Sequence, residues 1–275
     1  MAREKWMLEG PKTIDFDSIH TLKVGLIGGQ VDIVAHDEPG ARVEVHSVSG
    51  KPLKVSLDEG VLEIDHPQLA WDNFLQVFSF FKNEATAEVS IMVPRSIALK
   101  FGVVTASALI SGLDFSRKTG KDAVARISTV SGEVVIDRVI GELDLNSVSG
   151  EIAVREHTGD ISANTVSGEL MASGTISRVS HDSVSGDVFL DLQGTPDRVK
   201  VNTVSGDVSM RLAPGVAASY KISTASGRVQ LNDSSVSIVH GTYNGSFGEL
   251  SGKWLEFSVN SVTGDVTVHH AVAAP

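Results

Sequence analysis

Apolar and polar residues alternate along most of this chain, as in Glu133-Val134-Val135-Ile136, Glu151-Ile152-Ala153-Val154, Asp187-Val188-Phe189-Leu190, Asp207-Val208-Ser209-Met210 and Asp265-Val266-Thr267-Val268. Successive side chains of a strand point to opposite faces, so a period of two predicts short strands with one face buried. Each of these segments follows a tetrapeptide of the form Ser/Thr-Val/Ala-Ser/Thr-Gly. It stands at Ser47–Gly50, Thr129–Gly132, Ser147–Gly150, Thr165–Gly168, Ser183–Gly186, Thr203–Gly206, Thr224–Gly227 and Ser261–Gly264. From Thr129 to Thr224 the starts lie 18, 18, 18, 20 and 21 residues apart, and the last step, of 37, spans about two repeats. A second strand precedes the motif, as in Leu143-Asp144-Leu145, Ile161-Ser162-Ala163, Val199-Lys200-Val201 and Phe257-Ser258-Val259, with Gly141, Gly159 or Gly194 marking the turn between.

Two strands of about five residues and two turns fill about eighteen residues, and a constant coil length lets equivalent strands stack in parallel at ~4.8 Å. The pattern therefore predicts an all-β chain, a parallel β-solenoid with two-strand coils and one short helical insertion. An antiparallel sandwich is the alternative that regular short strands also allow. Val130, Val148, Val166, Val184, Val204, Ala225 and Val262 are expected as an inward apolar column. Asn146, Asn164, Asp182, Asn202 and Asn260 are placed to bond turn backbone and their equivalents in neighbouring coils. The motif glycine is expected at a corner that needs positive φ or close backbone approach.

Residues 1–20 read as a lead-in, 21–270 as a single solenoid domain and 271–275 as a flexible tail. Two interruptions decorate it: 67–84, and the glycine-rich stretch 232–252. Strands frame the first of these, with Leu22-Lys23-Val24 and Val31-Asp32-Ile33 before it and Val89-Ser90-Ile91 after it.

Charge and composition narrow the functional classes. With 34 acidic and 23 basic residues the net charge is −11, the opposite of what a phosphate backbone attracts, so no nucleic-acid partner is expected. The absence of cysteine removes disulfides, thiolate nucleophiles and cysteine-bound zinc. No apolar run reaches the roughly 18–20 residues that cross a bilayer, and no secretory leader stands out, which points to a cytoplasmic protein without an integral membrane segment. The Ser-Gly pairs occur in every coil, whereas a catalytic serine is needed once. No metal-binding, phosphate-cradling or dinucleotide motif is present, so neither a catalytic residue nor a cofactor is expected.

Three groups of residues remain as candidates. Glu133, Glu151, Glu169, Asp187 and Asp207 form an outward column of one carboxylate per coil, read as a solvated face or, failing that, a ladder for cations or a basic partner. Among nine histidines, His181 aligns with the inward residues Leu145, Ala163 and Val201 and is expected as a core residue with a satisfied ring; His269 and His270 are expected in solvent. The third group lies in 67–84, where five of the fifteen aromatic residues cluster. At ~100° per residue Trp71, Phe74, Phe78 and Phe81 share one face of an amphipathic helix, suited to cap the solenoid or dock a protein partner. One basic residue, Lys82, is too few for strong attraction to a membrane surface.

The repeated S-G-E/D-V/I/L turns, the strand Val89-Ser90-Ile91-Met92-Val93-Pro94 and the glycine-rich 241–252 stretch ahead of Val262-Thr263-Gly264-Asp265-Val266 resemble the bacterial adhesin-like β-strand-repeat family of unknown function, the LiaG-like group. The resemblance covers residues 20–270. It implies a β-strand-repeat architecture and carries over no catalytic residue. The expected function is a non-catalytic scaffold for protein interaction or self-assembly. An adhesin-like carbohydrate or surface binder is the alternative, and a polysaccharide-active β-helix enzyme ranks third because no unique acid cluster stands out.

Overall fold

The computed structural model describes residues 4–67, 85–118, 120–232, 234–236 and 241–271. The helix expected at 67–84 lies outside the described residues from 68 onward, and the tail lies outside them from 272. Among the described residues the regular structure is strand throughout, apart from one 3-10 turn at Gly120–Ala123. The chain divides into two compact units, Met1–Gly141 and Glu142–Pro275.

The first unit holds β1 (Glu4–Leu8), β2 (Lys12–Phe16), β3 (Thr21–Leu26), β4 (Gly28–His36), β5 (Ala41–Ser49), β6 (Leu53–Asp58), β7 (Val61–Asp65), β8 (Thr86–Pro94), β9 (Ala98–Val103), β10 (Ser107–Ser111), β11 (Val124–Thr129) and β12 (Val134–Asp137). They pair in two ladders, β1-β6-β7-β3-β9-β11 and β2-β5-β8-β4-β10-β12. Consecutive strands hold matching places in the two ladders, so each such pair makes one rung. The rungs β7–β8, β3–β4, β9–β10 and β11–β12 stack in parallel. Stacking order departs from chain order here, because β3–β4 sits between two rungs that both follow it in sequence. Register explains the tolerance: Val24 faces Ile64 on one side and Phe101 on the other, all fully buried, so any rung with apolar residues at those positions fits. The expected lead-in is instead structural. Its residues Glu4–Leu8 and Lys12–Phe16 pair antiparallel with β6 and β5. They bury Leu8, Ile14 and Phe16, which covers the end of the stack.

The second unit holds β13 (Glu142–Ser147), β14 (Ile152–Thr165), β15 (Leu170–Ser183), β16 (Val188–Leu192), β17 (Arg198–Ser205), β18 (Val208–Leu212), β19 (Ala218–Ser226), β20 (Val229–Leu231), β21 (Ser234–Val236), β22 (Gly241–Phe247), β23 (Leu255–Thr263) and β24 (Val266–His270). One ladder runs β13-β14-β15-β17-β23-β19-β22 and the other β14-β15-β16-β18-β24-β20-β21. The 14-residue strands β14 and β15 give their first halves to the second ladder and their last halves to the first. Within this unit the parallel registers follow the sequence repeat. Leu145, Ala163, His181, Val201 and Val259 form one buried column, and Ile152, Leu170, Val188, Val208 and Val266 another. Each buried aliphatic side chain contributes on the order of 1.5–3 kcal/mol. The glycine-rich stretch continues the architecture, since Gly241–Phe247 is an antiparallel edge strand on β19.

Two expectations about the corner need correction. Val130 is buried as expected, but Val166, Val184, Val204 and Val262 are about half exposed, while Thr129, Ser147, Thr165, Thr203 and Thr224 are buried. The period of two extends one residue further than expected: Leu145 and Ser147 share the inward face, and Val148 falls on the other. At three of these corners the hydroxyl serves the turn: Ser147 Oγ donates to the Gly150 carbonyl at 2.7 Å, Thr129 Oγ1 to that of Gly132 at 3.1 Å and Thr203 Oγ1 to that of Ser205 at 3.1 Å, whereas Thr165 and Thr224 Oγ1 are buried without a partner. The glycine is explained by close approach more than by φ. Left-handed values occur at Gly50, Gly206 and Gly264, but a Cβ at Gly132, Gly168, Gly186 or Gly227 would collide with the backbone carbonyl of the neighbouring rung.

Candidate functional site

The corner of the second unit gathers three regular columns. The first is apolar: Val166, Val184, Val204 and Val262 stand on consecutive rungs, each 49–52% exposed. They follow or end β14, β15, β17 and β23, which are neighbours in one ladder.

The second column is the amide ladder that the sequence suggests. Asn164 Nδ2 donates to Asn146 Oδ1 at 3.3 Å, Asn202 Nδ2 to Asp182 Oδ1 at 2.7 Å, and Asn260 Nδ2 to Asn202 Oδ1 at 2.8 Å. An amide carries both donor and acceptor, so identical residues can hand the bond along a stack. A groove of about 340 Å³ opens here, lined by Asn202, Ser223 and Asn260 together with Val204 and Val262.

The third column is acidic. Glu151, Glu169, Asp187 and Asp207 are exposed in this unit, each just before a strand, and Glu133 is exposed before β12 in the first unit. The aspartates differ from the glutamates in their bonding. Asp187 Oδ1 accepts the backbone N–H of Asp207, Asp207 Oδ1 that of Asp265, and Asp265 Oδ1 that of Arg228, each at 2.8 Å. The short side chain reaches the next rung, and the N–H dipoles offset the stacked charge. Among the described residues no group of three or more His, Asp or Glu side chains is arranged to hold a metal ion.

Trp71, Phe74, Phe78 and Phe81 lie outside the described residues. His181 is inward, as expected, between Ala163 and Val201 and fully buried. Its ring is not satisfied as expected, because neither nitrogen has a hydrogen-bond partner. Burial pushes its pKa down to about 4, with Asp182 opposing. His66 is equally buried and pushed to about 4 by burial, and its Nδ1 accepts the N–H of Ile27 at 3.2 Å. His269 is exposed as expected, whereas His270 is half-buried: it stacks on Phe247 with ring centroids 3.9 Å apart, and its Nε2 lies 3.1 Å from the Val216 carbonyl.

A second feature escaped the sequence reading. Asp160, Arg178, Arg198 and Glu256 share one register position on β14, β15, β17 and β23. Beside them Lys253 and the exposed Trp254 complete a cleft of about 390 Å³ with Asp197 and Gly252. Aligning the coils on the position before each inner strand would have brought out the two neighbouring arginines. Trp254 falls outside the repeat and left no such signal.

These features define a β-strand-repeat protein with a regular corner surface. The profile of the Toastrack DUF4097 family matches residues 19–269, and the chain belongs to that family. Among solved structures it is similar to a "putative cell adhesion protein" from Clostridium sporogenes, with 16% identity, a TM-score of 0.36, 95% of this chain covered and 100% of the other. It is similar also to a "putative lipid binding protein" from Parabacteroides distasonis, with 14% identity, a TM-score of 0.49 and coverages of 96% and 97%. A third is a "putative adhesin" from Bacteroides fragilis, with 11% identity, a TM-score of 0.47 and coverages of 94% and 98%. No curated protein matches the chain. Among the described residues no helix is long and apolar enough to cross a membrane.

Proposed function

We propose that this chain is a non-catalytic interaction scaffold whose parallel rungs act as a β-solenoid in each unit, and that the valine corner of the second unit joins it to a second copy of itself. The observation that carries this reading is the row of four half-exposed valines on consecutive rungs. Their spacing selects the partner. Rungs recur at ~4.8 Å, whereas same-face residues of a single extended segment recur at ~6.8 Å, so the matching surface is another stack of rungs. Two copies related by a twofold axis would interdigitate their valine columns.

The strip runs about 14 Å from its first rung to its fourth, too short for a permanent interface, so the association is weak and depends on concentration. The nearby carboxylates oppose it at low ionic strength. Sedimentation velocity over a range of concentrations, at low and at ~0.5 M salt, tests the reading. Reversible association that salt promotes, and that Val184→Asp with Val204→Asp removes, is the expected result. A monomer under every condition, or association indifferent to both substitutions, overturns it.

A further inference from the structure

The Arg178–Arg198 cleft combines features that the repeat does not require. Both arginines hold the same register position on neighbouring parallel strands, which brings like charges side by side at about the interstrand spacing of ~4.8 Å. Their acidic partners stand on the outer sides. Arg178 Nε lies 3.6 Å from Asp160 Oδ2 on β14, and Arg198 Nη2 lies 2.6 Å from Glu256 Oε2 on β23. Glu256 Oε2 takes both Arg198 Nε, at 3.0 Å, and Nη2, but no acid separates the two arginines in this column, so the space between them is a place for an anionic group. Lys253 adds a third cation, held loosely by Asp197 at 3.8 Å with both side chains at least half exposed.

Trp254 supplies the apolar half of the cleft. It is 37% exposed on the loop before β23, and it shares the cleft with both arginines. Gly252, at φ +84° with open space where a Cβ would stand, leaves the loop side of the cleft uncovered. Five of the seven lining residues are charged. An apolar small molecule is recognised by an enclosed apolar pocket, which this is not. A ring that offers C–H groups to an indole face and hydroxyls and a carboxylate to charged side chains suits these walls. The overall charge of −11 argues against a simple polyanion attracted by field alone.

We propose that this cleft is a binding site for an acidic saccharide, a pyranose unit carrying a carboxylate. The ring packs on Trp254, and the carboxylate takes planar, charge-assisted hydrogen bonds from Arg178 and Arg198. Asp197 accepts from sugar hydroxyls. The volume of about 390 Å³ suits one or two sugar units.

The test is calorimetric titration of the full chain with trigalacturonate, its methyl ester, and a sulfated oligosaccharide of the same length. The acid form is expected to bind saturably, and Trp254→Ala or Arg178→Gln is expected to weaken binding by about tenfold or more. Arg178 is exposed and weakly paired, so Arg178→Gln keeps the test available if changes at Arg198 disturb folding. Quenching of tryptophan emission that disappears in Trp254→Phe would support the stacking. Lack of saturable binding up to ~10 mM, equal binding of the methyl ester, equal or tighter binding of the sulfated sugar, or unchanged binding in both variants would each overturn the proposal.

Discussion

Asp187 accepts the backbone N–H of Asp207 through Oδ1 at 2.8 Å, although both residues carry the same charge and stand one above the other on adjacent rungs. The bond recurs from Asp207 to Asp265 and from Asp265 to Arg228, so each carboxylate anchors the start of the next strand. What reads in sequence as a row of solvated acids is, over these rungs, part of the fold.

The first prediction separates charge from bonding. Asp207→Ala removes the acceptor for the Asp265 N–H and is expected to lower stability by on the order of 1 kcal/mol, even as it relieves repulsion. Asp207→Asn keeps an acceptor oxygen and is expected to stay within about 0.5 kcal/mol of the parent chain. Glu151→Gln and Glu169→Gln, with longer side chains, should be as mild. Chemical denaturation of the four variants decides: a loss in Asp207→Asn equal to that in Asp207→Ala would mean that charge, and not the bond, is what counts.

The second prediction concerns the glycines. A Cβ at Gly186 would run into the Gly168 carbonyl, whereas Gly194, at φ +73°, has nothing within 4 Å of the same position. Gly186→Ala is therefore expected to cost at least about 2 kcal/mol, because two backbones must separate. Gly194→Ala should cost about 1 kcal/mol through its left-handed conformation alone. Melting temperatures in the reverse order would show that φ governs the corner.

The repeat, the strands and the amide ladder were legible because period and register are properties of sequence alone. The order of the stack was not. Val199 on β17 pairs with Phe257 on β23 across 58 residues, and the following coil in the chain, β19, lies beyond it. Equivalent rungs carry equivalent apolar residues, so sequence cannot say which neighbour each will take. Residue type predicts the facing of Val130, which is buried, but not of Val166, Val184, Val204 and Val262, where alternation from Leu145 places the hydroxyl residue inside instead. Asp160, Arg178, Arg198 and Glu256 went unnoticed because they differ in charge, and a search for repeated residue types passes over a repeated position.

The third prediction tests that facing directly. Thr129 Oγ1 donates to the Gly132 carbonyl at 3.1 Å and accepts the Gly132 N–H at 3.2 Å within a buried corner. Thr129→Val leaves both backbone groups unsatisfied and is expected to cost about 1–2 kcal/mol despite the added methyl. Val204→Ser removes a half-exposed side chain and should change stability by no more than about 0.5 kcal/mol. An inward valine column would give the opposite ranking in urea titrations.

The last prediction is the pH dependence contributed by two of the buried histidines. His66 and His181 are fully buried, and burial lowers the pKa of each from 6.5 to about 4. Lys51 reinforces the shift at His66, while Asp182 opposes it at His181. Above pH 6.5 both rings are neutral in the folded and the unfolded chain, and they add no pH dependence. As the pH falls below 6.5 the unfolded chain takes up protons that the folded chain refuses, so stability declines until the folded rings also protonate near pH 4. The interval of about 2.5 units corresponds to about 3 kcal/mol per histidine at its acid end. His181→Leu replaces a ring without hydrogen-bond partners by an apolar side chain of similar size, between Ala163 and Val201. It is expected to flatten the decline between pH 6.5 and 4 and to raise stability at pH 5, while leaving stability at pH 8 within about 1.5 kcal/mol of the parent. Denaturant titrations at pH 8, 6, 5 and 4.5 read this out, and an unchanged slope in His181→Leu would show that His181 is not held neutral in the core.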